Sequence, residues 1–182
     1  MYKIFVLFFL IAPQFLKSQK DFSFQLAAGP NYYFNNLEIF KENLEPINYS
    51  IYSKLMWNTR YRLSFGIESG YIRLYRLNDF ATGLNSEITM TAIPVHAAIE
   101  MKFSSKLYAT FSFGPSFFRN NIISNKGEQS THTFSTADIS FGLGYRHTFK
   151  NHLFIGAESK FYYSSKSEDR NLALPVFVGI NF

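Results

Sequence analysis

Leu172-Ala-Leu-Pro-Val-Phe-Val-Gly-Ile-Asn-Phe182 is the stretch whose reading decides the fold. Taken at every second residue, Leu172, Leu174, Val176, Val178, Ile180 and Phe182 share one side. Asn171, Ala173, Pro175, Phe177, Gly179 and Asn181 share the other. Successive side chains of a strand point to opposite faces, so this is a strand with one hydrocarbon face and one small, polar or mixed face. A strand of a soluble sandwich alternates in the same way, and one segment leaves that choice open. The final Phe182 adds an aromatic ring in phase with the apolar side.

Seven earlier segments alternate in the same sense, over roughly 21–35, 48–57, 60–76, 86–103, 106–120, 134–149 and 152–164. In the fourth, Ile93, Val95, Ala97, Ile99, Met101 and Phe103 oppose Pro94, His96, Ala98, Glu100 and Lys102. The links between segments run 36–47, 58–59, 77–85, 104–105, 121–132, 150–151 and 165–170, which is long, short, long, short, long, short, medium. Leu37, Ile39, Phe40 and Leu44 suggest one helical turn in the first long link, and His132 falls in the third. Antiparallel neighbours joined this way collect every long loop on one rim and every tight turn on the other. A membrane barrel does this, with an even number of strands; a soluble eight-stranded barrel has no reason to segregate its links. The expected fold is therefore all-β, an eight-stranded antiparallel up-and-down transmembrane β-barrel.

Aromatic residues make up 19% of the 182, with 22 Phe and 12 Tyr. On the apolar face they gather at both strand ends. Phe22, Trp57, Tyr61, Phe103, Phe149 and Phe182 lie toward the tight turns, and Tyr32, Phe34, Tyr71, Tyr75, Phe117 and Tyr163 toward the long loops. Two aromatic belts with aliphatic residues between them suit a bilayer with two interfaces. The one charge expected on this face, Arg73, sits at the loop end, where lipid phosphates are available.

Met1 to about Gln19 has the form of a cleaved signal peptide: Lys3, an apolar run from Ile4 to Ala12, the breaker Pro13, and Ser18 before the cut. The run is too short to span about 30 Å of hydrocarbon as a helix. The domain division is thus 1–19 signal peptide and 20–182 barrel. The formal charge is +5 with Lys and Arg scattered, which speaks against a nucleic-acid partner. With no Cys, disulfides, thiolate metal sites and a lipidated cysteine are excluded.

The inner face carries Lys54, Arg62, Lys102, Arg146 and Lys160 against Glu68, Glu100, Asp138 and Glu158. An eight-stranded barrel is just wide enough for its side chains to fill. Unpaired charge there is too costly, so these nine residues are expected to form a salt-bridge network that plugs the lumen. Gly29, Gly66, Gly70, Gly114, Gly142, Gly144, Gly156 and Gly179 share that face and relieve its crowding. His96, His132, His147 and His152 show no metal-ligand spacing, and no nucleophile motif occurs, so no catalytic residue, metal or cofactor is expected and the protein is not expected to be an enzyme.

Ile93-Pro-Val-His96, Phe113-Gly-Pro115, Gly142-Leu-Gly-Tyr145 and Val178-Gly-Ile-Asn-Phe182, in that order, resemble the small porin-like outer-membrane β-barrel family abundant in Bacteroidota. The resemblance implies location in the bacterial outer membrane and a terminal aromatic, Phe182, that serves as an assembly signal. It implies partners among outer-membrane lipid, lipopolysaccharide and the barrel-insertion machinery, with an envelope protein partner as a further candidate. It fixes no functional residue and no measured channel. The expected role is structural, adhesive or secretion-accessory. The alternatives are a narrow porin or transporter for small solutes, an exported lipocalin-like binder, and a loop-rim enzyme using His132.

Overall fold

The computed structural model describes residues 22–34, 44–59, 61–79, 86–123, 129–165 and 170–182. The expected signal peptide and the helical turn at Leu37, Ile39 and Phe40 lie outside them. Ten strands make one antiparallel sheet: β1 Phe22–Phe34, β2 Leu44–Glu45, β3 Ile47–Asn58, β4 Leu63–Asp79, β5 Ser86–Lys102, β6 Leu107–Ile123, β7 Gln129–Thr148, β8 Leu153–Ser164, β9 Arg170–Ala173 and β10 Val176–Asn181.

These ten are eight staves. Pro46 separates β2 from β3, and Leu174-Pro175 separates β9 from β10, because proline has no N–H to give to a ladder. The backbone stays in line across the second gap: Leu174 N donates to Pro30 O at 2.9 Å and Glu158 N donates to Pro175 O at 3.0 Å. Both β9 and β10 pair with β1, which closes the ring. The closure runs to the last residue, where Phe182 N donates to Phe22 O at 2.8 Å.

The registers fix the barrel's shape. Phe22 faces Trp57, then in turn Phe65, Ile99, Phe111, Phe141, Phe161 and Leu172, and Leu172 faces Tyr32. One circuit thus returns to β1 ten residues above its start. Eight staves with that stagger tilt by about 40°, given about 3.3 Å per residue and about 4.8 Å between strands. All side chains on this row point outward, so the exposed wall is a continuous spiral of aromatic and aliphatic residues.

Three features of the long-loop half differ from the sequence expectation. First, the polar stretch 121–132 is mostly strand: β6 continues to Ile123 and β7 begins at Gln129, in unbroken register. His132 therefore lies on β7 opposite Asn120, not in a loop. Residues of a ribbon standing in water on both faces are polar at odd and even positions alike, which erases the alternation signal. Second, Leu44 belongs to β2 and pairs with Leu77. Third, Tyr75 faces inward. The β4–β5 register slips by one between Arg73 and Tyr75, a bulge that turns Tyr75 onto Tyr33, with ring centroids 5.0 Å apart.

Candidate functional site

The lumen is where the fold concentrates its chemistry, and it is layered. Lys54 on β3, Glu68 on β4, and Glu158 and Lys160 on β8 meet at mid-height. Lys54 Nζ lies 3.1 Å from Glu158 Oε2 and 3.6 Å from Glu68 Oε2, and Lys160 pairs with Glu68 Oε1. Each lysine also sees a ring face: Lys160 Nζ is 4.9 Å from the Tyr52 centroid and Lys54 Nζ 5.9 Å from that of Tyr108. The Tyr108 hydroxyl donates to Glu158 at 3.0 Å. The four charges alternate in sign and none is left alone. That is the condition under which ions survive removal from water.

Toward the tight turns, Arg146 on β7 makes a two-pronged contact with Glu100 on β5, at 3.0 and 2.8 Å. Its guanidinium lies over the rings of Tyr108 and Phe154, at 4.6 and 4.7 Å, and reaches Gln25 Oε1 at 3.5 Å. Lys102 donates to Asn58 Oδ1 at 3.1 Å nearer the rim. Toward the loops, Asp138 accepts hydrogen bonds from Thr136 and Tyr162. Beside it His96 is bracketed by Ser112 (Nδ1 to Oγ, 3.3 Å) and Ser116 (Nε2 to Oγ, 3.0 Å) and stacks on Tyr162. At 1% exposure His96 is enclosed in this polar packing. Above it, Ile72, Leu74, Met90 and Phe118 form an apolar lid, with Phe134 stacked on Phe118 at 5.1 Å.

Of the nine charged residues expected in the lumen, the structure brings Lys54, Glu68, Glu158 and Lys160 into one cluster and Glu100 and Arg146 into a second. Asp138 and Lys102 stand apart, each on uncharged partners. Arg62 departs from the expectation: it lies exposed in the turn ahead of β4, outside the lumen. The link after Asn58 is longer than the polar dipeptide Asn58-Thr59 suggested, so the strand starts at Leu63. The same alternation turns Gln25, Tyr52, Tyr108, Tyr162 and the serines inward, but it does not give their hydrogen-bond partners, which the strand register decides.

The interior glycines are cut to fit this packing. A Cβ on Gly144 would run into the Tyr108 ring, and one on Gly142 into the Glu158 carboxylate. The space left between Gln25, Tyr52, Lys54, Glu68, Glu158 and Lys160 is about 10 Å³, no more than one water needs. The larger hollows, about 780 and 520 Å³, are on the outer wall; Leu26, Ala28, Ile51, Ile155, Val176 and Val178 line the first. They belong to the apolar surface and not to the polar chemistry.

No protein-family model matches the chain, and no curated protein matches it in sequence. Its backbone is nevertheless similar to solved outer-membrane barrels. Neisserial surface protein A shares 13% identity, with a TM-score of 0.56 over 88% of this chain and 97% of that one. The attachment invasion locus protein Ail of Yersinia pestis shares 10%, with 0.52 over 90% and 100%. A major outer-membrane protein of Thermus thermophilus shares 11%, with 0.53 over 88% and 99%. At such identities the likeness concerns the fold: an eight-stranded barrel of the outer-membrane type.

Proposed function

We propose that this protein is an integral outer-membrane barrel with a closed lumen, serving the cell envelope as a structural, adhesive or secretion-accessory element and not as an enzyme. The observation that carries the reading is the lumen itself. Lys54, Glu68, Glu158 and Lys160 neutralise one another across it, with about 10 Å³ left between them. A solute path needs a wider ring or a lining of one sign, and this lining carries both. The outer wall supports membrane residence: Ile67 and Val178 are each 61% exposed, which water would penalise and lipid would not. Likeness to a protein named for attachment and invasion agrees with an adhesive role for the loop rim.

In this reading residues 1–19 direct export and are removed, and Phe182 is the belt residue through which the insertion machinery recognises the last strand. Lipid and lipopolysaccharide surround the wall. Two measurements test the proposal. Fractionation should recover the protein only with detergent from the outer membrane. In planar bilayers the refolded barrel should pass no stable current. Large, reproducible channels would replace the closed barrel with the narrow-porin alternative, and recovery from the soluble periplasm would replace it with the exported binder.

A further inference from the structure

Above the apolar band, the outward face of β4, β5 and β6 breaks its pattern. Arg73 faces Thr91, and Thr91 faces Arg119. Residues paired across antiparallel strands point to the same side, so two guanidinium groups flank a threonine with their backbones about 10 Å apart. Arg73 is eight residues above Phe65 on β4, about 20 Å higher at a tilt of about 40°, which is the upper edge of an apolar band about 25 Å tall. Arg119 stands a little higher, because the row climbs from stave to stave.

Several observations mark this spot as a built site. Thr91 is only 6% exposed although its phase is outward, so its neighbours fold over it; its hydroxyl donates to Arg119 O at 3.3 Å. Arg73 lies over the Tyr49 ring at 5.4 Å, and Tyr49 stacks on Tyr71 at 6.0 Å. The Nε of Arg73 is shielded from water yet has no hydrogen-bond partner among the described residues, and no carboxylate there pairs with its charge. The bulge right after Arg73 keeps Arg76 on the same outward face. Arg76 takes up the nearby carboxylate, pairing with Glu87 at 2.8 Å, so Arg73 acts on Glu87 only through space, without a direct ion pair. Arg119 spends its Nε on Asn121 Oδ1 at 3.1 Å, which leaves its terminal nitrogens available.

We propose that Arg73 and Arg119, with Tyr49 and Tyr71 beneath, form a binding site for the phosphorylated sugar headgroup of an outer-leaflet glycolipid. The inference rests on the outer-membrane reading above and adds a ligand to its wall. Two arginines set apart suit a headgroup with two phosphates better than a phospholipid with one, since each guanidinium can grip a phosphate in two-pronged fashion. The tyrosine faces offer a platform for the sugar, and the acyl chains would run down over Ile51, Ile93 and Phe117.

The test is a titration of the detergent-refolded protein, read by native mass spectrometry, with diphosphoryl lipid A, its dephosphorylated form and phosphatidylglycerol. Folding of every sample is checked by heat-modifiable gel mobility. Wild type should bind diphosphoryl lipid A at least 10-fold more tightly than either other lipid, and inorganic pyrophosphate should compete poorly. Arg73→Gln and Arg119→Gln should each reduce the preference and the double variant abolish it, while Arg62→Gln on the opposite rim keeps it. Equal binding of the phosphorylated and dephosphorylated lipids would overturn the site, as would a preference that survives in the folded double variant. Equal binding of phosphatidylglycerol would overturn the choice of occupant. The wild-type comparison decides even if a variant fails to fold. A barrel that folds without lipid selectivity sinks only this inference, whereas conductance sinks the closed lumen.

Discussion

Breaking the Arg146–Glu100 contact is the most informative perturbation of the lumen. Glu100 is 0% exposed and accepts both prongs of Arg146, so removing either partner leaves a buried charge with its main counterion gone. Such truncations cost about 3–5 kcal/mol. The two single variants should not be equal. In Glu100→Ala the guanidinium keeps the ring faces of Tyr108 and Phe154, contacts worth about 0.5–2 kcal/mol, and the loss should fall near the lower limit. In Arg146→Ala those contacts vanish as well, and the loss should approach the upper limit. The double replacement Glu100→Leu with Arg146→Met removes both charges and restores volume, and should lie within about 1–2 kcal/mol of wild type. The assay is urea unfolding of the barrel refolded into lipid vesicles. Trp57 is the single tryptophan, and it sits outward at 51% exposure, where leaving the bilayer changes its emission. Single variants that each cost under about 1 kcal/mol, or a double variant equal to the sum of the singles, would refute the buried-pair argument.

Four further outcomes follow from the same geometry. Ile67→Arg, at mid-height on the outer wall, should cost about 2–4 kcal/mol in vesicle-based unfolding, against almost nothing if that wall faced water. Gly144→Ala drives a methyl into the Tyr108 ring and should lower stability by about 1–3 kcal/mol; no change in the urea midpoint would mean that the ring has room to move. His152 closes the β7–β8 turn with φ of 68°, so His152→Gly should raise stability by about 1 kcal/mol in the same assay, and a loss would show that its ring matters more than its backbone. Phe182→Ser should lower the amount of heat-modifiable barrel in cells while the purified variant refolds normally; unchanged amounts in cells would remove the assembly role.

The bulge in β4 shows where legibility ended. Up to Arg73 the outward residues follow the parity of the sequence, because a strand with an apolar outer wall on one side and a packed polar lumen on the other must alternate. One extra residue at Leu74 then flips the phase, and Tyr75, which continues the outward series by parity, turns inward onto Tyr33. Nothing in Leu74-Tyr75-Arg76 announces this, since a bulge is a choice made by two strands together. The ribbon of β6 and β7 that extends past the end of β8 was missed for a related reason. Water on both faces imposes no alternation, so Asn121, Ser130, Thr131 and His132 look like a loop.

The sequence by itself determined the barrel class, the eight staves, the rim on which the tight turns gather, and, up to the bulge in β4, which residues face outward. All of these follow from local periodicity and link length, which each segment carries alone. Only the tertiary structure decided the stagger of ten residues, and with it every partnership inside. Lys54 meets Glu158, 104 residues away, and Arg146 meets Glu100 because of how far one strand slides along the next around a closed ring. It also put Arg62 outside the lumen and placed Arg73 in one cross-strand row with Arg119. Parity sets which way a side chain points, while register, fixed only when the first and last strands join, sets what it touches.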